Sequence, residues 1–300
     1  MNAVTKAADA APSASRPASS RFVLNLSCAD QPGIVAGVSG TLANSGCNIL
    51  ESAQFGDPET DLFFMRVVFA PPEAVTVEDI QGALRSVAKR FSMEWTVKDM
   101  AVHTRVLIMV SRFDHCLQDL LYRKRLGALP IDIVAIVSNH EDSRPLAEAN
   151  GIPFHHLPVT RDNKAETEDR ILALVEETGA ELVVLARYMQ ILSNRMSEAL
   201  SGRVINIHHS FLPAFKGAKP YHQASSRGVK LIGATAHYVT ADLDEGPIIE
   251  QDAERVTHAD SAESLVAKGR DIEARVLARA VRYHVERRVF LNGIKTVVFS

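Results

Sequence analysis

From His103 onward the chain alternates short, largely apolar runs with longer polar stretches of helical character. The runs are Val106 to Val110, Ile133 to Val137, Phe154 to Leu157, Leu182 to Leu185 and Val204 to Ile207. Runs of this kind predict parallel strands buried on both faces, with helices filling the intervals. Residues 105–300 are therefore expected to form a doubly wound, Rossmann-like α/β domain with a mostly parallel sheet. Residues 21–99 have a different rhythm. Phe22 to Ser27 alternates as a strand, and Ile34, Val38 and Leu42 recur at helical spacing before Gly46, which is suited to a left-handed helix end. Asn48 to Gly56 and Asp61 to Phe69 read as a hairpin, followed by a helix from Val77 to Phe91 and a strand from Met93 to Lys98. The order βαββαβ predicts a ferredoxin-like unit. Residues 1–20, rich in Ala, Ser and Pro, read as a disordered tail, and residues 100–104 as the linker between the domains.

Composition removes several classes of function. Hydrophobic residues make up 46% of the chain and the formal net charge is −3, so there is no general basic field for nucleic acid. The short basic clusters Arg123 to Arg125 and Arg287-Arg288 read as solvated helix faces. No uninterrupted apolar run approaches the ~18 residues of a membrane span. The N-terminal stretch also lacks the apolar core of a secretory signal. Cys28, Cys47 and Cys116 form an odd set without a CxxC pair, which fits a reducing cytoplasm better than a disulfide framework.

The chemistry concentrates near the end of the last apolar run. Asn206 and His208 stand two apart, so on a strand their side chains leave the same face. Pro213 and Gly217 then break regular structure, as expected where open α/β sheets bind ligands. Asp244 follows the strand-like run Leu231 to Val239 on a second loop. An amide, an imidazole and a carboxylate are what addition of water to a carbonyl needs: an oxyanion donor, an orienting and polarising group, and a proton acceptor. A structural reading stands beside this one, with His208 as a hydrogen-bonding group at a strand end and Asp244-Glu245-Gly246-Pro247 as an ordinary turn. Eleven histidines raise the question of a metal, but there is no H-E-x-x-H, and the adjacent pair His208-His209 on a strand would point to opposite faces. No metal and no other cofactor is expected.

Together, the segments Asn206 through His222 and Gly233 through Ile249 resemble the folate-dependent formyltransferase family, its deformylase branch in particular. His209 stands where the transferases commonly carry Pro. The run Leu185 to Leu192 looks like the family segment lining the pterin pocket. The resemblance implies hydrolysis of 10-formyltetrahydrofolate to formate and tetrahydrofolate, with Asn206, His208 and Asp244 catalytic. Folate would lie against Arg187, Met189, Ile191, Leu192, Leu243, Glu245, Gly246 and Pro247. A base that also returns a proton works best with a pKa near the working pH, which partial burial of Asp244 would favour. Related transferases carry a glycine-rich phosphate-binding turn after the domain's first strand. Here that turn is Ser111-Arg112-Phe113-Asp114, which would obstruct a phosphorylated second substrate and favours water as acceptor.

The first unit resembles an ACT domain through Asp30-Gln31-Pro32-Gly33-Ile34-Val35 and Gly46-Cys47-Asn48-Ile49. That resemblance implies an amino-acid effector, glycine or methionine, held near Asp30, Gly33 and Asn48, and a homo-oligomer formed through this domain. Two alternatives remain open: transfer of the formyl group to a non-phosphorylated amine, and a folate-binding amino-acid sensor without turnover.

Overall fold

The computed structural model describes residues 20–212 and 220–300. The expected tail, up to residue 19, and the expected breaks at Pro213 and Gly217 lie outside the described residues. Contacts divide the chain into two units, Met1–Val102 and His103–Ser300.

The first unit runs β1 (Phe22–Ala29), α1 (Ile34–Asn44), β2 (Asn48–Asp57), β3 (Leu62–Ala70), α2 (Val77–Arg90) and β4 (Glu94–Asp99). Its sheet has the order β2-β3-β1-β4, with every neighbouring pair antiparallel. Alternate residues of β1 (Phe22, Leu24, Leu26, Cys28) share a core with Ile34, Val38 and Leu42 of α1 and with Ile80, Leu84 and Val87 of α2. Gly46, at φ 73°, ends α1: its N–H donates to the Ala43 carbonyl at 2.9 Å and the N–H of Cys47 to Leu42 at 3.0 Å. This is a Schellman end, possible because glycine tolerates the left-handed conformation.

One grouping made from the sequence does not survive within a single chain. Asp30 lies past the end of β1, its N–H donating to the Asp61 carbonyl at 2.8 Å, and Gly33 caps the start of α1 at φ 98°. Asn48 pairs with Ala70, at the opposite end of the sheet from the Asp57–Leu62 pair. The intervening helix carries the chain about 16 Å before β2 begins, so Asn48 cannot join Asp30 and Gly33 around one small ligand in the same copy.

The second unit contains β5 (Thr104–Val110), α3 (His115–Arg125), β6 (Ile131–Ser138), α4 (Arg144–Ala149), β7 (Phe154–His156), α5 (Lys164–Thr178), β8 (Leu182–Ala186), α6 (Asn194–Ala199) and β9 (Val204–His208). There follow α7 (Pro220–Arg227), β10 (Leu231–Tyr238), β11 (Ile248–Arg255), α8 (Ala262–Val285), β12 (Val289–Asn292) and β13 (Lys295–Val298). The main sheet has the order β11-β10-β9-β8-β5-β6-β7. Strands β5 to β9 are parallel, while β10 and β11 extend the sheet antiparallel. Both faces are covered. Val106, Ile108 and Val110 of β5 pack with residues of α3 and α8, whereas Leu107 and Met109 pack with Ile171, Leu174 and Val175 of α5. The alternation explains why the central strands read as unbroken apolar runs. The chain enters the sheet at β5, builds outward through β6 and β7, then crosses back to β8 and β9, so the switch of direction lies between β5 and β8. Ligands of open α/β sheets bind at the carboxyl ends of strands near such a switch. Among the described residues, no helix is long and apolar enough to cross a membrane.

Candidate active site

The carboxyl ends of β8 and β9 and the loop after β10 surround a cavity of about 770 Å³. Asn206 and His208 of β9 both line it, two residues apart on one face, and Asp244 enters from the loop between β10 and β11. Asp244 and Arg187, which also lines the cavity, hold left-handed backbone conformations at φ 58° and φ 64°. Such strain in residues other than glycine persists only where the surroundings over-determine it, and it clusters at functional sites.

His208 is buried, with Nδ1 3.2 Å from Oδ2 of Asp244. A carboxylate only accepts, so Nδ1–H is the donor. The opposite nitrogen, Nε2, is buried and has no hydrogen-bond partner. The hydrogen bond from His208 holds the Asp244 carboxyl below its usual range, outweighing the opposing effect of partial burial. The sequence had raised the prospect of an elevated Asp244; the His208 contact reverses the sign.

His237, which the sequence reading did not single out, completes the arrangement. It is 2% exposed, and burial holds its pKa below the usual range, so the ring is neutral. Its Nδ1 lies 2.9 Å from the Tyr238 carbonyl oxygen and therefore carries the proton, leaving Nε2 as an acceptor 3.3 Å from Nδ2 of Asn206. This fixes which end of the Asn206 side chain is the amide nitrogen and spends one of its two N–H groups, leaving the other available. The antiparallel register pairs His237 with Asn206. The sequence signal was slight, a histidine inside an apolar strand.

Arg187, Met189, Ile191, Leu192 and Leu243 line the same cavity. Met189, Ile191 and Leu243 are more than half exposed and present apolar surface at its rim. Glu245, Gly246 and Pro247 are not among its lining residues. They shape the loop instead. The Glu245 N–H donates to the Asp242 carbonyl at 3.4 Å, and the Pro247 carbonyl accepts from the Tyr238 N–H at 2.9 Å, tying the loop back onto β10. A Cβ on Gly246 would stand 1.7 Å from the Tyr238 carbonyl oxygen and 3.2 Å from Nδ1 of His237. Gly246→Ala is therefore expected to displace the Asp244 loop and lower thermal stability by about 1–3 kcal/mol, measured by denaturant unfolding. A variant with wild-type stability would contradict this packing.

The two adjacent histidines also differ from expectation. β9 ends at His208, and the ring of His209 turns to lie 5.3 Å from that of His208, with both lining the cavity. Burial, aided by the nearby Arg187 cation, lowers the His209 pKa to about 4, so this ring is neutral near pH 7.

Beyond His209 lies a second cluster absent from the sequence reading. Glu273 of α8 is 1% exposed and accepts from Nε2 of His115 at 2.8 Å and from the Tyr221 hydroxyl at 2.7 Å, while Nε of Arg187 approaches to 3.3 Å. Burial opposes its charge, but the His115 hydrogen bond and the Arg187 cation outweigh it and hold the carboxyl below the usual range. Its signal was a lone carboxylate on the buried stripe of α8, between Ile272 and Val276. Among the described residues, His115, Cys116 and Glu273 are the one group whose ligand atoms lie within 4.8 Å of one another. They are poorly suited to a cation. Burial pushes the Cys116 thiol well up, keeping it protonated, and the carboxylate already faces a guanidinium. Cys28, Cys47 and Cys116 are all free.

Residues 104–281, which include the doubly wound sheet with an amide, an imidazole and a carboxylate at its carboxyl edge, match the Formyl transferase family. Residues 22–85 match the ACT domain. The chain is 52% identical to the formyltetrahydrofolate deformylase of Corynebacterium sp. (strain P-1), over 93% of this chain and 98% of the relative, and 50% identical to that of Bacillus subtilis (strain 168), over 92% and 93%. The crystal structure of formyltetrahydrofolate deformylase from Burkholderia mallei superposes with a TM-score of 0.90 at 55% identity, covering 94% of this chain and all of that one. The chain belongs to the formyltetrahydrofolate deformylase family.

Proposed function

We propose that the protein hydrolyses 10-formyltetrahydrofolate to formate and tetrahydrofolate, and so supplies formate and balances one-carbon folate pools for purine synthesis. The observation that carries the mechanism is the convergence of Asn206, His208 and Asp244 on one cavity, with Nε2 of His208 left unpartnered. The pteridine rests on the apolar rim formed by Met189, Ile191, Leu192 and Leu243. Water held by the ionised Asp244 attacks the formyl carbon and gives its proton to that carboxylate. The free Asn206 N–H and, in its imidazolium form, the Nε2–H of His208 receive the developing oxyanion. Collapse of the intermediate breaks the bond to N10, which takes up a proton. The products are tetrahydrofolate, formate and one released proton. No metal enters this scheme, and formate release in the presence of a chelator tests that point.

His237 acts here as a positioning residue for Asn206. His237→Leu removes the acceptor while keeping a buried apolar volume, and the Asn206 amide is then free to rotate. kcat is expected to fall by up to about 100-fold with little change in KM; an unaltered kcat would remove His237 from the site.

For the first unit we propose an amino-acid effector, glycine or methionine, and association with further copies of the chain. The ACT match supports the effector reading. Support for association comes from β2, the outermost strand of its sheet among the described residues, which carries Leu50 and Phe55 exposed. The free cysteines are consistent with the proposed cytoplasmic location.

A further inference from the structure

Arg187 is a cavity-lining cation with an incompletely satisfied side chain. Its side chain is 11% exposed, yet its Nε is buried without a hydrogen bond, and among the described residues its one ion pair is the 3.3 Å approach to Glu273. Among the described residues its guanidinium makes no hydrogen bond. A guanidinium carries five N–H donors in a planar fork, and buried donors of this kind are normally satisfied. Glu273 neutralises part of the charge, but its hydrogen bonds come from His115 and Tyr221. The arginine fork is thus left to the cavity that it lines.

The backbone adds a second, independent observation. Arg187 sits at φ 64°, a conformation that glycine adopts without penalty. A long cationic side chain at such a position is strained, which points to a use for the side chain itself.

Its location relative to the reacting groups is set by strand register. β8 and β9 are parallel with Leu185 opposite Asn206, and Arg187 follows the last residue of β8 while His208 is the last residue of β9, so both leave the carboxyl ends of neighbouring strands and line one cavity. His209, whose ring adjoins that of His208, feels the Arg187 charge. A planar anion released at His208 therefore has a planar, bidentate partner within the same cavity.

We infer that Arg187 forms a subsite for a small carboxylate, which in the proposed hydrolysis is the product formate. The identity of the carboxylate rests on the hydrolase reading; the subsite itself does not. Glu273 behind the guanidinium moderates its field, so the anion is held during collapse of the intermediate and still leaves. With His209 neutral, Arg187 is the cation beside it on the cavity wall.

The test uses the substrate-free, full-length protein and sodium formate, with sodium chloride at equal ionic strength as control. Binding is followed by thermal shift and by saturation-transfer NMR of the formate proton. In the wild type, formate is expected to stabilise the fold saturably beyond chloride. Arg187→Gly, which relieves the backbone strain, is expected to fold and to bind formate at least ten-fold more weakly, and Arg187→Lys, which keeps the charge without the fork, to be weakened as well. Should Arg187→Gly not fold, Arg187→Gln replaces it. Equal response to formate and chloride in the wild type, or wild-type formate binding in the Gly or Gln variant, would overturn the subsite. Formate binding without formate release from 10-formyltetrahydrofolate would sink the hydrolase reading and leave the subsite standing. Release without specific formate binding would do the reverse.

Discussion

Asp244→Asn is expected to lower kcat by about 100- to 10,000-fold, the usual contribution of a positioned general base, while the dissociation constant for folate moves little. The substitution keeps size and shape but removes the proton acceptor. It also removes the carboxylate that receives Nδ1–H of His208 at 3.2 Å, so the ring loses the contact that orients it. The two losses act on one transition state and will not add as independent effects. The apolar rim residues Met189, Ile191 and Leu243 are untouched, which is why binding should persist. Single-turnover kinetics with an equilibrium folate titration separate the two quantities. Near-normal turnover would take Asp244 out of the chemistry. The acid limb of the wild-type rate profile belongs to the same group: because His208 holds its carboxyl below the ordinary aspartate value of about 3.9, Asp244 stays ionised at neutral pH and becomes inactive only on acidification below that range.

The second large effect is expected for His208→Ala, with kcat falling about 100- to 1000-fold, the cost of losing an oxyanion donor. The Nε2 of His208 is buried and unpartnered, a polar atom that costs free energy unless a ligand satisfies it. Affinity for the ground state should change far less than turnover. A variant in which KM rises and kcat is preserved would assign His208 to substrate binding. Asp244 in this variant loses the hydrogen bond that lowers its pKa, so the acid limb should also move upward.

These predictions draw on residues that differ in how far the sequence exposes them. Asn206 and His208 were legible because two-residue spacing on a strand is a local property, and Asp244 because a polar turn follows an apolar run. The parallel strands β5, β6, β8 and β9 were legible because a sheet covered on both faces leaves unbroken apolar runs. β11 was not, since Glu250 to Arg255 is largely polar and partly exposed and carries no such signature. His237 escaped because its meaning comes from an antiparallel register with Asn206, thirty-one residues away in sequence. Glu273 escaped for a similar reason: one carboxylate in a 24-residue helix looks solvated until α3 and α7 bring His115 and Tyr221 to it. Glu245, Gly246 and Pro247 were read from their place in the loop. They adjoin Asp244 in sequence, and the Tyr238–Pro247 hydrogen bond ties this part of the loop to β10.

The most direct test of the hydrolase account is formate release from 10-formyltetrahydrofolate by purified protein, with a chelator present and no amine acceptor, repeated with glycine or methionine added. The account predicts formate and tetrahydrofolate in equal amounts, undiminished by the chelator. Substrate binding without release, or release only when an amine acceptor is supplied, would contradict it.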